Sequence, residues 1–261
     1  MSSPVERSRY RLVVAYEGTD FHGWQKQLVP EGPPLRTVAG TIEAVMLRVL
    51  RQPIDLVGAS RTDTGVHAEG QVAHFDAKLS FPVDRLALAL NSRLPPDIEI
   101  REAVAVEPGF HAIRGVVAKQ YRYRILNRHR RPLHQRRVVW HCWTSLDPGA
   151  MRDAAARIVG THDFEGFAAA GHGRRSTVRT VHECRVETDP ARSGIDIVVV
   201  GDGFLYNMVR IIAGTLVEVG RGRFQPDVID VVLASADRRQ AGPTLPPQGL
   251  WLEWIKYAAA S

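Results

Sequence analysis

The segment of this chain best equipped for chemistry is Ser60-Arg61-Thr62-Asp63-Thr64-Gly65-Val66-His67. It follows an apolar run at 55–59 and is almost wholly polar, which predicts a displayed loop between two strands. Asp63 has Arg61 two residues away, a cation that favours the ionised carboxylate. An ionised carboxylate can act as a nucleophile. Two other chemistries fail on the same residues. Asp63-Thr64-Gly65 matches the aspartic-protease triplet, but that mechanism shares one proton between two carboxylates and the sequence has no second Asp-Thr-Gly. Gly58-Ala59-Ser60-Arg61-Thr62 lacks the final glycine of a nucleophile elbow. Taken alone, Asp63 also suits an Asx turn with Gly65 at positive φ.

Charge is the second concentration of chemistry. Residues 114–137 hold nine Arg or Lys and no Asp or Glu, whereas the whole chain of 261 residues carries +6, so the remainder sums to −3. A charge run is often a solvated face, and a GC-rich genome also raises arginine content. Here, however, Tyr121-Arg122-Tyr123-Arg124 and His129 interleave flat rings with the cations. Rings that stack on bases and arginines that neutralise phosphates point to a nucleic-acid partner. The ten histidines are scattered, without metal-ligand spacing, so no metal is expected.

The composition, 44% hydrophobic and 24% charged, is that of a folded globular protein and excludes disorder, collagen and disulfide scaffolds. No apolar stretch approaches the roughly 18 residues that cross a bilayer. Cys142 and Cys184 lie outside any Cys-x-x-Cys pair and read as free thiols of a reducing compartment. With no secretory pattern in the polar N-terminal stretch, the expected location is the cytoplasm, without membrane attachment.

The elements that must position these residues follow from periodicity. Strands are predicted at 9–16, 55–59, 71–76, 98–106, 119–126, 138–140, 179–188, 195–200 and 250–257. Thr37 can cap a helix with Ile42, Val45, Met46, Val49 and Leu50 on one face. Further helices are predicted from Pro82 through Leu90, from Asp147-Pro148 through Val159, over 205–219 and over 226–234. Neighbouring strands with interspersed helices imply an α+β protein whose antiparallel or mixed sheets are backed by helices. The break at Glu107-Pro108-Gly109 places a boundary between domains 1–110 and 111–261. No Gly-rich phosphate loop follows a strand, so a doubly wound nucleotide fold is not expected.

Residues 58–76, with the Arg-Thr-Asp-Thr-Gly-Val-His core and the Gln-Val-Ala-His-Phe ending, resemble the catalytic motif of the A-type tRNA pseudouridine synthases. That family usually reads Gly-Arg-Thr-Asp-Ala-Gly-Val-His, so Ser60 and Thr64 are departures. The resemblance continues in order at Tyr16-Glu17-Gly18-Thr19 with Gly23-Trp24-Gln25, and at Lys119-Gln120-Tyr121-Arg122-Tyr123. It recurs at 203–210, ending in Met208-Val209-Arg210, and at Ala241-Gly242-Pro243-Thr244 with Gly249-Leu250. Where relatives carry an arginine and then an aromatic, this chain has Ile113 and Arg114, so that RNA contact is either missing or displaced by one residue. Ile211 replaces the asparagine common after the arginine.

The resemblance implies a cofactor-free isomerase that converts uridine to pseudouridine at positions 38 to 40 of the tRNA anticodon stem-loop. It implies two domains with the active-site cleft between them, and a homodimer in which one tRNA touches both subunits. Asp63 falls on the catalytic aspartate and Arg61 on the arginine implicated in flipping the base. Tyr121 falls on the ring lying against the uracil, Arg210 on the arginine paired with the carboxylate, and Leu250 on an apolar wall. Tyr121 and Tyr123 share one strand face and Arg122 and Arg124 the other. This predicts Tyr121 in the site, Tyr123 packed, and the arginines facing solvent or phosphate. Arg114 and the loop from Arg128 to Arg137 are assigned to RNA. Attack by Asp63 at ribose C1′ or at uracil C6 both stay open. The alternative function is a non-catalytic RNA-binding protein of the same fold.

Overall fold

Tyr10, Leu12, Val14 and Tyr16 put every second side chain of β1 (Ser8–Tyr16) into a core, the period of a strand covered on one face. The computed structural model describes residues 7–27, 32–171 and 175–258. They form two compact units, Met1–Val116 with Leu252–Ser261, and Val117–Trp251. The sequence-based division at 110/111 left the closing strand in the second half. The chain's end instead belongs to the first unit, because β10 (Leu250–Tyr257) neighbours β3 (His67–Ala77) in the sheet. Two hydrogen bonds secure it there: Tyr257 Oη to the Ala112 carbonyl at 2.7 Å, and the Ala258 amide to the Gly115 carbonyl at 3.1 Å.

In the first unit the strand order is β4-β1-β3-β10, with β4 (Ile98–Val106) and β3 both antiparallel to β1. The register shifts between Val14 and Tyr16 against β3, a bulge of the kind that re-aims a side chain at a strand end. Helices α1 (Val38–Leu50) and α2 (Leu86–Asn91) contribute Ile42, Met46, Leu86 and Leu90 to the same fully buried set as Leu12 and Val14. Thr37 caps α1 as its sequence predicts, Oγ1 accepting from the Gly40 amide at 3.3 Å. A separate cluster joins Ala59, Val72 and Ala112 to Phe110, Ile255 and Tyr257. The strand predicted at 55–59 shrinks to β2 (Val57–Gly58), after which the chain leaves β3 for the polar loop.

In the second unit the order is β5-β9-β8-β7, all antiparallel, through β5 (Val116–Asn127), β9 (Gly194–Gly201), β8 (Val178–Asp189) and β7 (Gly160–Asp163). Strand β6 (Trp140–Cys142) runs parallel to β5, two residues later than predicted. Helix α3 (Pro148–Ala156) is capped by Asp147, whose carboxylate accepts the Gly149 and Ala150 amides. It stops three residues before the predicted Val159, and β7, which no sequence signal announced, follows. Helix α4 (Met208–Gly220) is buried at every residue but Arg210, and α5 (Val228–Ser235) completes the layer. Both units are thus α+β, with sheets backed by helices. Among the described residues no helix is long and apolar enough to cross a membrane.

Two packing features have measurable consequences. Segment 241–245 crosses α4 so tightly that a Cβ on Gly214 would overlap the Pro243 carbonyl. Gly214→Ala therefore lowers stability by about 1–3 kcal/mol, the range for overpacking a core, read as a lower urea midpoint. In the first unit, buried His74 accepts the Ala112 amide at Nδ1 (3.2 Å), with the His111 ring 4.7 Å away. Burial, and then the charges of His111 and Arg9, hold its pKa below 6.5, against the opposing pull of Asp76. The unfolded chain takes up this proton more readily, so the stability is complete above pH 6.5 and is lost as pH falls below it. The urea midpoint drops between pH 7.5 and 5.5, and His74→Gln makes that drop smaller.

Candidate active site

In the first unit the loop at 60–66 is held main chain to main chain and by three buried side chains. Gln71, fully buried on β3, accepts the Ser60 amide at 3.1 Å and donates to the Ser60 carbonyl at 2.7 Å. It thereby extends the strand pairing past the point where backbone partners end. Thr62 is fixed twice. Its Oγ1 shares a buried 2.7 Å hydrogen bond with the Tyr16 hydroxyl, and its carbonyl accepts the Trp24 amide at 3.1 Å. Gly65 lies at φ 78° in the third position of a turn closed by the Val66 amide on the Asp63 carbonyl, the place where a type II turn demands glycine.

Beyond the turn, His67 is fully buried and accepts the Gly18 amide at Nδ1 (3.0 Å). It is a satisfied core histidine. A Cβ on Gly18 would overlap the Val66 carbonyl. Asp63 at the head of the turn is half-buried, while Arg61 and Thr64 are exposed. The loop therefore displays a carboxylate and a guanidinium from a backbone that is pinned on both sides. Arg114, also in this unit, lies exposed beside Gly115, and Ile113 is exposed with it.

In the second unit the strand face carrying Tyr121 and Tyr123 is the apolar one. Tyr121 is buried, its ring edge-on to Phe204 at 5.3 Å. Tyr123 is fully buried, donates from its hydroxyl to the Pro246 carbonyl at 2.7 Å and abuts Gly249. Burial raises its phenol pKa. Leu250, next to that glycine, is buried at the start of β10.

Arg210 enters the same neighbourhood from the first turn of α4. Its Nε donates to the Leu245 carbonyl at 2.6 Å and its Nη1 to Asn207 Oδ1 at 2.7 Å. Asn207, at φ 60°, stands at the N-cap position of the helix without capping it by its side chain. Leu245 is delivered by the tight crossing over Gly214, which the Gly242 amide reinforces by donating to Thr215 Oγ1 at 2.8 Å. The Ala-Gly-Pro-Thr motif thus aims Arg210. Segments 204–210 and 242–250 converge on the Tyr121–Tyr123 face of β5.

The opposite face corrects one expectation. Arg122 turns to the carboxylates of the neighbouring strands rather than to solvent or phosphate: it donates to Glu187 at 2.5 Å and to Asp196 at 3.0 Å. Arg185 and Arg122 hold Glu187 below the usual carboxylate range, while burial raises Asp196 in spite of Arg122. Arg124 lies over the Trp251 ring, 4.3 Å from its centroid. The exposed cations of the basic block are Arg114 and then Arg128, Arg130, Arg131 and Arg136 of the loop after β5.

Sequence reasoning quoted Tyr16, Gly18 and Trp24 as motif residues without a role and gave Gln71 none. The signal that could have found them is their pairing in space with Thr62, Val66 and Ser60, which no local periodicity carries.

Comparison with known proteins bears on what this arrangement is. The model of a family described as tRNA pseudouridine synthase matches residues 12–113 and 154–258. A "tRNA pseudouridine synthase A" of Bacillus pumilus is 43% identical over 251 residues, covering 95% of this chain and 99% of the relative. Its namesake in Moorella thermoacetica is 45% identical over 247 residues, covering 95% and 98%. That of Myxococcus xanthus is 43% identical over 249 residues, covering 95% and 92%. With the pinned Asp63 loop and the aimed Arg210 both inside the matched segments, the chain belongs to the tRNA pseudouridine synthase family of isomerases.

Proposed function

We propose that the protein isomerises uridine to pseudouridine at positions 38 to 40 of the tRNA anticodon stem-loop, with Asp63 as the nucleophile. The observation that carries this reading is the loop at 60–66. It presents the half-buried carboxylate of Asp63 from a backbone fixed by Tyr16, Trp24 and Gln71, the preorganisation that covalent catalysis requires.

The reaction breaks the bond between uracil N1 and ribose C1′ and forms one between C5 and C1′. N1 gains a proton and C5 loses one to solvent. A base in a stem must leave the stack first, at a cost of a few kcal/mol. Arg61, exposed beside Asp63, is the residue that assists this extrusion. Tyr121 is the ring that holds the uracil, Leu250 an apolar wall, and Arg210 the supporting cation. Arg114 and Arg128 contact RNA phosphates. The protein works as a homodimer in the cytoplasm. Buried free thiols support a reducing compartment: Cys142 and Cys184 are both buried, and burial pushes the Cys184 thiol up to about 12.

The test is tritium release from tRNA labelled at uracil C5. Wild type releases it, and Asp63→Asn reduces release by more than about a thousandfold, as loss of a nucleophile does. Undiminished release from that variant, or none from wild type, overturns the assignment. Tyr16→Phe removes one of the two holds on Thr62 and leaves the carboxylate in place. It lowers kcat by about 10- to 100-fold with little change in KM, the effect of a small misplacement.

A further inference from the structure

We propose that Trp143 is an RNA-contacting side chain, an indole that stacks on a nucleobase of the tRNA whose phosphates the neighbouring arginine loop neutralises. The inference rests on the reading that tRNA is the substrate, and it assigns a contact which neither the motifs nor the resemblance picked out.

Trp143 and Leu133, 65% and 67% exposed, are the two most exposed large apolar side chains among the described residues. Tryptophan ordinarily buries most of its surface. Trp143 is exposed although its backbone is firmly held. The Asn127 amide donates to the carbonyls on both sides of it, Cys142 at 3.0 Å and Thr144 at 2.6 Å. Asn127 Oδ1 accepts the Leu146 amide at 3.3 Å, and Cys142 itself is buried. A single asparagine at the end of β5 therefore fixes the indole's main chain at the root of the basic loop.

The loop is tied to the same place, because His141 Nε2 donates to the Arg128 carbonyl at 2.6 Å. From Arg128 to Leu146 the sequence holds five arginines and three histidines and no carboxylate. Arg128, Arg130, Arg131 and Arg136 are exposed. A fixed, exposed ring beside exposed guanidinium groups, two of them (Arg128 and Arg136) steadied on carbonyls of their own loop, is the pattern of a stacking platform along a phosphate track.

Charge selects the occupant. In a two-fold dimer the same patch faces itself, so a second copy seated here would set these arginines against their own equivalents. A polyanion with stackable bases satisfies both the charge and the ring.

The experiment is fluorescence anisotropy of labelled tRNA over a series of salt concentrations. Trp143→Ala weakens binding by about 5- to 100-fold, the cost of losing one stacked base. The slope of log K against log salt stays at the wild-type value, because no phosphate contact is removed. Arg131→Glu weakens binding and flattens that slope. Trp143→Phe keeps most of the affinity but loses the tRNA-induced quenching of tryptophan emission seen in wild type, a readout that survives if the alanine variant folds poorly. Wild-type affinity in Trp143→Ala, or undiminished quenching in Trp143→Phe, overturns the proposal. So does a loss of affinity that tracks dissociation into smaller species on sedimentation, which would assign the indole to a contact between copies. The readout is binding, so its failure is separate from a failure of tritium release.

Discussion

Two crossings of main chain on main chain, each too close to admit a Cβ, govern where Asp63 and Arg210 stand. At Gly18 the backbone after β1 runs against the Val66 carbonyl, and at Gly214 helix α4 lies against the Pro243 carbonyl. Both crossings end in hydrogen bonds that hold a functional segment. The first delivers the Gly18 amide to His67 and sits beside the Tyr16 and Trp24 contacts on Thr62. The second delivers the Leu245 carbonyl to the Arg210 guanidinium. Loops are usually the mobile part of a fold. Here the backbone that carries Asp63 and the guanidinium of Arg210 are both held by hydrogen bonds.

Charge is partitioned with similar economy along β5 and its following loop. The positive block in the sequence is continuous, but the two arginines of its strand half are held against the fold. Arg122 is bound to Glu187 and Asp196, and Arg124 lies on Trp251. Asp196 shows what that costs: burial raises its pKa even with a guanidinium 3.0 Å away. Such a pair is kept for placement more than for stability. Here it locks β5 to β8 and β9 on the face opposite Tyr121. The loop half, from Arg128 onward, keeps its cations at the surface. One block of sequence thus serves as scaffold at one end and as exposed positive surface at the other.

What could be read from the sequence was whatever local chemistry encodes. Alternation marked β1 and β4, Thr37 and Asp147 announced their helices, and Gly65 announced a positive φ. The short β7 escaped notice because four residues of mixed polarity carry no period, and their pairing with β8 is the only reason they are a strand. The unit boundary was misplaced because Glu107-Pro108-Gly109 breaks the chain locally, whereas membership is decided by β10 returning to β3 from some 180 residues away. Gln71 was equally illegible. In sequence it is one polar residue in a strand; in space it replaces two missing backbone partners for Ser60.

The departures from the family pattern become intelligible on the same physical terms. Ser60 stands where glycine is usual, but its amide and carbonyl are taken by the Gln71 side chain, and its backbone is outside the positive-φ region that would demand glycine. Thr64 is exposed, so its extra atoms meet solvent. Ile211 replaces a polar residue in α4, where it is fully buried, and the Thr215 hydroxyl donates to its carbonyl. An apolar side chain there needs no partner. Gly18, Gly65 and Gly214 have no such freedom: one is required by backbone dihedral and two by contact. Substitution has entered where a Cβ or a changed polarity can be absorbed, and not where the main-chain crossings and the turn at Asp63 would have to open.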